Sequence, residues 1–440
     1  MQSTAVPLVW TSLQKILFRF VACFFVLWIF PVHFVDSLVS SLPENKPAFL
    51  DTISDLAIGK VNDLYTSSFN ALLSMIPQVK SLFPSDVNSY SEWPSYSFLL
   101  MIVFSSLIAC LIWTAIDRKR KSYNQAYYWL QIFVRYFLAI TMLVYGFSKI
   151  FCWQMSFPFP SNLVTMMGDY WPQKLAWNYM GYSKPFQIFC GFGEVTGGML
   201  LFWRRTTLLG ALILIPIITV VFMMNLCFDI IVKTESFAYL LMSIFLLLPY
   251  RKQLFNLFIK NNSSNPVYYP PAIKNPLLKK TLILLKYSFI VLIILSNIFL
   301  NKQNISKYRN TDKKPPIYGI YNTEHFVRNR DTIPLLITDT SIWKQMIFDE
   351  YGVTIKKMND TCRVYTRRID TITHTLKIQP YSWTYHDRDT LHKSEWHYEQ
   401  KDEWLSLNGK YNGDSVQVLL KWYDHKKMRL PSWGFRWITR

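Results

Sequence analysis

The chain has 440 residues, of which 51% are hydrophobic and 17% aromatic but only 17% charged, an apolar share above the roughly 45–50% of soluble domains. Its formal charge of +19 would suit a nucleic-acid partner, but the basic residues cluster beside apolar runs, as in Arg118, Lys119, Arg120 and Lys121 and in Arg204 and Arg205. That placement argues against nucleic acid and for membrane topology. Six cysteines without a Cys-x-x-Cys argue against a disulfide scaffold or a dithiol motif, and leave open whether Cys152, Cys190 or Cys227 form a disulfide.

In chain order, apolar segments at 14–33, 98–116, 127–149, 185–203, 207–228, 236–250 and 280–300 predict an all-α polytopic membrane bundle of about seven spans, against the ~20 residues that cross a hydrocarbon core. The first segment reads as a retained span, since it is long, follows a polar lead and has no small-x-small site after Pro31. Residues 1–126 hold two spans and a Ser-rich external loop, 34–97, with weak helical periodicity over 51–73. Residues 127–258 form a four-helix core, and 259–316 contain a linker, the final span 280–300 and a polar connector.

Basic residues mark every other loop: Lys15 and Arg19, then the 118–121 cluster, then Arg204 and Arg205, then Arg251, Lys252, Lys260, Lys279 and Lys280. This predicts a cytoplasmic N-terminus. An odd number of spans then places residues 317–440 on the periplasmic side of the inner (plasma) membrane.

Composition changes at 317 to alternating polar and apolar residues, which predicts a soluble, mainly antiparallel β domain, a small sandwich or half-barrel. Asn412-Gly413-Asp414 joins 404–411 to 415–423 as a hairpin, with Val416, Val418, Leu420 and Trp422 on one face. Residues 373–378 and 382–385 also alternate, and 341–351 reads as the one helix. His386, His392 and His397 with Glu395 and Glu399 match no standard metal spacing and read as solvated strand residues, so no metal is expected.

A charge at membrane depth costs at least about 2.5–3.5 kcal/mol, so each one needs a partner or a role. Arg135, Met142 and Lys149 recur every seven residues on one helical face, with Tyr145 beside them. From ~1.5 Å of rise per residue, Arg135 lies roughly 12 Å and Glu194 roughly 17 Å from the inner surface. Similar depth predicts a buried Arg135–Glu194 ion pair, with Gly146, Gly191, Gly197 and Gly198 allowing close helix packing. The same arithmetic puts Tyr145, Lys149, Gln154, Asn225 and Asp229 near the outer interface, with Lys233 just beyond, as a polar cup for a ligand. The stretch 153–185, rich in Trp, Tyr, Phe and Pro, reads as an interfacial loop over that cup.

Arg135, then Tyr145-Gly146-Phe147-Ser148-Lys149, then the run from Phe189 through Gly191-Phe192-Gly193-Glu194-Val195-Thr196-Gly197-Gly198 to Phe202, then Arg204-Arg205, with Asn225 before Asp229, resembles the DoxX family of four-helix membrane proteins. The resemblance covers about 127–258. It implies a DoxX-like bundle in which Arg135, Gly146, Lys149, Glu194 and Gly198 hold characteristic positions. Some members are subunits of thiosulfate:quinone oxidoreductases or act in membrane redox and thiol homeostasis. This chain is a long form, departing from the short one in its aromatic loop, three additional spans and C-terminal domain.

Three functions follow as expectations. The first is redox-associated: a quinone or other amphiphile whose head reaches Lys149, Tyr145 and Asp229 from within the lipid bilayer. All seven histidines, from His33 at the outer end of the first span to His425, lie outside the span interiors, and no Cys-x-x-Cys or Rossmann pattern is present. No cofactor of the chain's own is therefore expected, and electron transfer would need a partner subunit. The second is a noncatalytic scaffold or assembly factor that holds an envelope protein through 317–440. The third is a transporter, since intramembrane charges also mark ion paths.

Overall fold

In the computed structural model the described residues are 10–30, 63, 67, 93–262, 275–309, 314–350, 352–380 and 394–434. Most of the predicted loop 34–97 with its helix 51–73, the strand 382–385, His386 and His392 lie outside them. The chain divides into two compact units, one of residues 1–155 and 183–305, the other of 156–182 and 306–440.

The first unit is helical. Helix α1 (Ser12–Trp28) starts at a capping box in which Thr11 Oγ accepts from the Gln14 N–H while the Gln14 side chain accepts from the Thr11 N–H. It packs against α2 (Trp93–Ile116). Next come α3 (Asn124–Ile150), then α4 (Pro160–Val164) and α5 (Pro172–Tyr182), which belong to the other unit, and α6 (Lys184–Leu201). Helices α7 (Thr207–Cys227), α8 (Lys233–Leu247), α9 (Arg251–Phe258) and α10 (Pro276–Arg309) complete it.

Four helices form its centre: α6 packs between α3 and α7, and α8 packs on α7 and returns to α3. Short connections make α6 and α7, and α7 and α8, antiparallel. Phe137, Leu138, Met142, Leu201, Leu214, Ile218, Met242 and Phe245 fill the interior. The second face of the same helices stays apolar, and with it the chain reads as a membrane protein.

Among the described residues, four helices are long and apolar enough to cross a membrane, over Phe98–Ile116, Asn124–Ile150, Arg204–Cys227 and Pro276–Ser306. The expected count was about seven. The segments at 14–33, 185–203 and 236–250 are helical too, but as helices of 17, 18 and 15 residues. At ~1.5 Å per residue the last covers only about 22 Å of a ~30 Å core, and the charges of α6 dilute its apolar character.

The turns after α2, α6 and α8 share one end of the bundle. The Arg204 guanidinium lies 5.1 Å from the Tyr128 ring at the start of α3, and Tyr127 meets Phe245 at the end of α8 with ring centroids 5.5 Å apart. At that end Arg19 is buried and fully engaged: it donates to the Tyr123 hydroxyl, to Thr114 Oγ at 2.9 Å and to the Asp117 carbonyl at 2.8 Å, while Tyr123 donates to the Asp117 carboxylate.

In the second unit, strands β1 (Gly319–Arg328), β2 (Asp331–Ile333), β3 (Trp343–Phe348), β4 (Val353–Lys357), β5 (Cys362–Asp370), β6 (Thr375–Pro380), β7 (Ser394–Lys401), β8 (Trp404–Tyr411) and β9 (Asp414–Tyr423) form one antiparallel sheet. Because β1 pairs with both β3 and β9, eight strands close into a barrel, with β2 extending the β3 edge of β1. The expected sandwich or half-barrel is thus a closed barrel, which leaves no pair of facing sheet edges to protect.

Register breaks between Thr323 and His325 and between Trp343 and Gln345 bend β1 and β3 round the closure. The predicted 404–423 hairpin is present: Tyr411 pairs with Asp414 across Asn412 and Gly413, both at positive φ as a type I′ turn requires. The predicted helix 341–351 is instead β3. Its apolar run looks helical because the strand is covered on both faces. Met346 and Phe348 enter the barrel, while Ile347 joins Ile320 and Val164 on the outside.

Val164 belongs to α4, so part of the connection between α3 and α6 is built onto the barrel. The Ser161 N–H donates to the Asp349 carboxylate at 3.2 Å, and Lys356 Nζ donates to the Val164 carbonyl at 2.9 Å while pairing with Asp360 at 3.2 Å. Burial raises the Asp349 carboxyl above its usual range. Inside the barrel Trp343, Trp396, Tyr321, Phe326, Leu376 and Leu405 pack without exposed surface or nearly so, as expected where eight strands leave room only for side chains.

Candidate functional site

Lys149, at the C-terminal end of α3, places Nζ 2.8 Å from both carboxylate oxygens of Glu194 on α6. The side chains are only 8% and 5% exposed. The Tyr145 ring lies 5.7 Å from the same ammonium, one turn back along α3. Two hydrogen bonds from one ammonium to one carboxylate offset part of the desolvation that burying both charges costs.

The close approach of α3 and α6 makes this contact possible. A Cβ on Gly191 would stand 2.6 Å from the Gly146 carbonyl, and one on Gly146 would stand 2.9 Å from the Gly191 carbonyl, so neither helix tolerates a larger residue there without separating. Gly198 meets Ala139 and Met142 on α3, whereas Gly197 faces Leu214 on α7.

Those contacts fix the antiparallel register and correct the expected Arg135–Glu194 pair. With 146 facing 191 and 195, and 139 and 142 facing 198, Glu194 is level with about residue 145 of α3. Arg135 is then some ten residues, roughly 15 Å, from Glu194 along the axis, while Lys149 is only about one turn away. The depth estimate failed because it gave α3 and α6 a common outer plane, whereas α6 extends beyond the end of α3 there. Arg135 instead reaches Thr207 Oγ at 3.4 Å and lies over the Tyr136 ring at 5.4 Å, level with the α6–α7 turn.

The expected cup separates into two clusters. In the first, around Lys149, Glu194 and Tyr145, Ser148 Oγ donates to Gln154 Oε1 at 3.0 Å and so ties the start of the loop to α3. Gln187, seven residues before Glu194 on the same face, is fully buried, and its carboxamide can pair with both the N–H and the carbonyl of Met155 at 3.3 and 3.2 Å. In the second, Asn225 Nδ2 donates to the Val232 carbonyl at 3.2 Å and to Ser236 Oγ at 3.1 Å. Asp229, at φ 54° and 79% exposed, pairs at 2.6 Å with Lys233. This second cluster closes the α7–α8 turn.

Gln187, Ser236 and Asn301, the last accepting from Trp153 Nε1, were not singled out from the sequence. The heptad spacing of Gln187 and Glu194 in an otherwise apolar helix was the available signal. Cys152, Cys190 and Cys227 are not joined by a disulfide. On the barrel, Glu395 pairs with Lys377 at 3.1 Å, and His397 lies 3.9 Å from Glu399, all on exposed strand positions. Among the described residues, no three His, Cys, Asp or Glu side chains converge as a metal site would require.

In the Lys149–Glu194–Tyr145 group, the lysine and tyrosine can donate hydrogen bonds to an acceptor that approaches between helices. Comparison with known proteins bears on the descent of part of the chain. No family model matches the chain, and no solved structure matches it significantly. An uncharacterized protein, YwoB of Bacillus subtilis (strain 168), is 36% identical to it over 124 residues, 28% of this chain and 79% of that protein. Over that stretch the chain belongs to the same family as YwoB.

Proposed function

We propose that the helical unit is a DoxX-like core that receives the head group of a quinone or similar amphiphile at Lys149, Glu194 and Tyr145, in redox work shared with a partner subunit. The observation that carries this reading is the 2.8 Å Lys149–Glu194 pair, nearly closed to solvent beside a tyrosine ring. An intramembrane ion pair is costly to keep where a leucine pair would pack, which favours a role beyond architecture.

The proposed setting is the inner membrane, with a cytoplasmic N-terminus, seven crossings and a periplasmic barrel. Two features support it. The basic turns gather at one end of the bundle, the end that remains cytoplasmic under the positive-inside rule. Residues 156–182 of the connection from α3 to α6 fold with the barrel, which supports assigning the two to one side of the membrane. Helix α10 must then cross, and α1, α6 and α8 cross as shorter helices within a locally thinned bilayer.

A second reading, a scaffold that holds an envelope protein, draws on the filled barrel interior, which leaves the outer surface as the place to bind. Titration of the purified full chain in nanodiscs with ubiquinone and with menaquinone separates the two. A saturable quench of tryptophan fluorescence is expected, weakened about tenfold or more by Lys149→Ala, as for loss of a hydrogen bond from a charged donor. No response to either quinone would overturn the first reading.

A further inference from the structure

We propose that the basic end of the helical unit binds one anionic phospholipid, its phosphate held by Arg135 and Lys286 and an acyl chain lying along α10. This site is distinct from the Lys149–Glu194 pair and does not depend on the quinone reading.

Among the described residues, Arg135 pairs with no carboxylate. Its Nε is buried and has no hydrogen-bond partner among the described residues, and its Nη1 makes a long contact with Thr207. From Asn124 to Arg309 the sequence offers four acids, Asp169, Glu194, Asp229 and Glu235. Glu194 and Asp229 are taken by Lys149 and Lys233 at the far end, Glu235 lies in the first turn of α8 at that same end, and Asp169 belongs to the other unit. Nearer by, Asp117 is engaged by Tyr123 and Arg120.

Other cations gather round Arg135 instead. Lys286 of α10 stands three residues before Phe289, which faces the Tyr136 ring that Arg135 overlies, and its ammonium lies 5.7 Å from the Trp203 ring. Arg204 lies in the adjoining α6–α7 turn, over the Tyr128 ring on α3. Aromatic groups with polar edges complete the surroundings: Trp203 Nε1 donates to the Tyr287 hydroxyl at 3.4 Å, and Tyr136 meets Phe289 with ring centroids 6.4 Å apart. Like charges at the level of a helix turn, with tryptophan and tyrosine beside them, are the composition of a phosphate-level site at a membrane interface.

Continuous with Lys286 is an open apolar cleft of about 510 Å³ along α10, lined by Leu282, Leu285, Lys286, Ser288, Phe289 and Leu292. Lys286 stands among apolar neighbours, with Leu282 and Leu285 before it on α10 and Phe289 and Leu292 following it into the span. A free phosphate would satisfy the cations and leave the cleft bare. A neutral lipid would fill the cleft and leave Arg135 uncompensated. An anionic phospholipid satisfies both, so charge complementarity selects it.

The test uses the full chain in detergent, with native mass spectrometry after addition of phosphatidylglycerol or phosphatidylcholine. The expected result is preferential retention of one phosphatidylglycerol, lowered about fivefold by Arg135→Gln and by Lys286→Gln, restored in Arg135→Lys, and undisturbed by excess inorganic phosphate. Equal retention of the two lipids, unchanged retention in Lys286→Gln, or displacement by inorganic phosphate would each overturn the proposal. Should Arg135→Gln fail to fold, Lys286→Gln still decides, because that side chain stands at the edge of an open cleft.

Discussion

Along the barrel strands, residues with no exposed surface such as Leu405, Leu407 and Leu420 alternate with exposed ones, whereas on α2 and α10 Leu111 and Leu284 are 70% and 68% exposed and the opposite face is apolar as well. The barrel is folded by removing apolar surface from water. Bilayer helices gain nothing from that term between themselves, so close packing and satisfied polar groups decide how they associate. The glycines and the Lys149–Glu194 pair at the α3–α6 contact are where that requirement is met.

Two truncations to alanine would break this contrast if they behaved alike on lipid-facing and core positions. Trp396→Ala empties the barrel centre, where the ring contacts Trp343 at 5.2 Å, and is expected to cost about 3–5 kcal/mol in thermal or denaturant unfolding of the full chain. Leu284→Ala, on a lipid-facing position, should stay within about 0.5 kcal/mol in the same detergent. Equal losses would mean that α10 is covered by protein, not lipid.

Glu194→Leu sharpens the helical side of the comparison. It leaves Lys149 buried without its carboxylate and is expected to destabilise the helical unit by about 3–5 kcal/mol. Adding Lys149→Leu should recover most of that loss. A double variant as unstable as the single one would show that the pair acts through more than mutual compensation.

The smallest effect concerns the barrel surface where α4 sits. Asp349 accepts from the Ser161 N–H and faces Lys174, with Glu350 and Arg367 also near, and burial raises its carboxyl above the ordinary 3.8. A raised folded-state pKa means that folding holds the proton. Stability from this group is complete below about pH 4 and is lost as pH rises through the folded value. Asp349→Asn should therefore protect the 156–182 connection from proteolysis at pH 7, by no more than about 1 kcal/mol, and change little at pH 4. Greater protection at pH 4 than at pH 7 would reverse the sign.

How much of this was legible in the sequence follows the same division. The Asn412-Gly413 hairpin declared itself because positive φ at two successive positions demands those residues. Residues 341–351 misled because Ile347 is covered from outside by Val164, and a strand buried on both faces loses its period of two. The polar residues of the helical site were legible as residue types. Their pairing was not, because it depends on the register of α3 against α6, set by glycine contacts across a connection of 33 residues between Ile150 and Lys184. Closure of the barrel was likewise invisible, since it is a pairing of the first strand with the last.

The building of α4 onto β1 and β3 also has a consequence for biogenesis. Residues 160–164 leave the ribosome long before β3 and β4 exist to receive them. At roughly 5–20 residues per second, the segment waits on the order of ten to forty seconds for Ile347 and Lys356. During that interval Val164 and the aromatic side chains around it have no barrel to cover them, so a chaperone or the bilayer surface itself must occupy their place until the C-terminal third arrives on the same side.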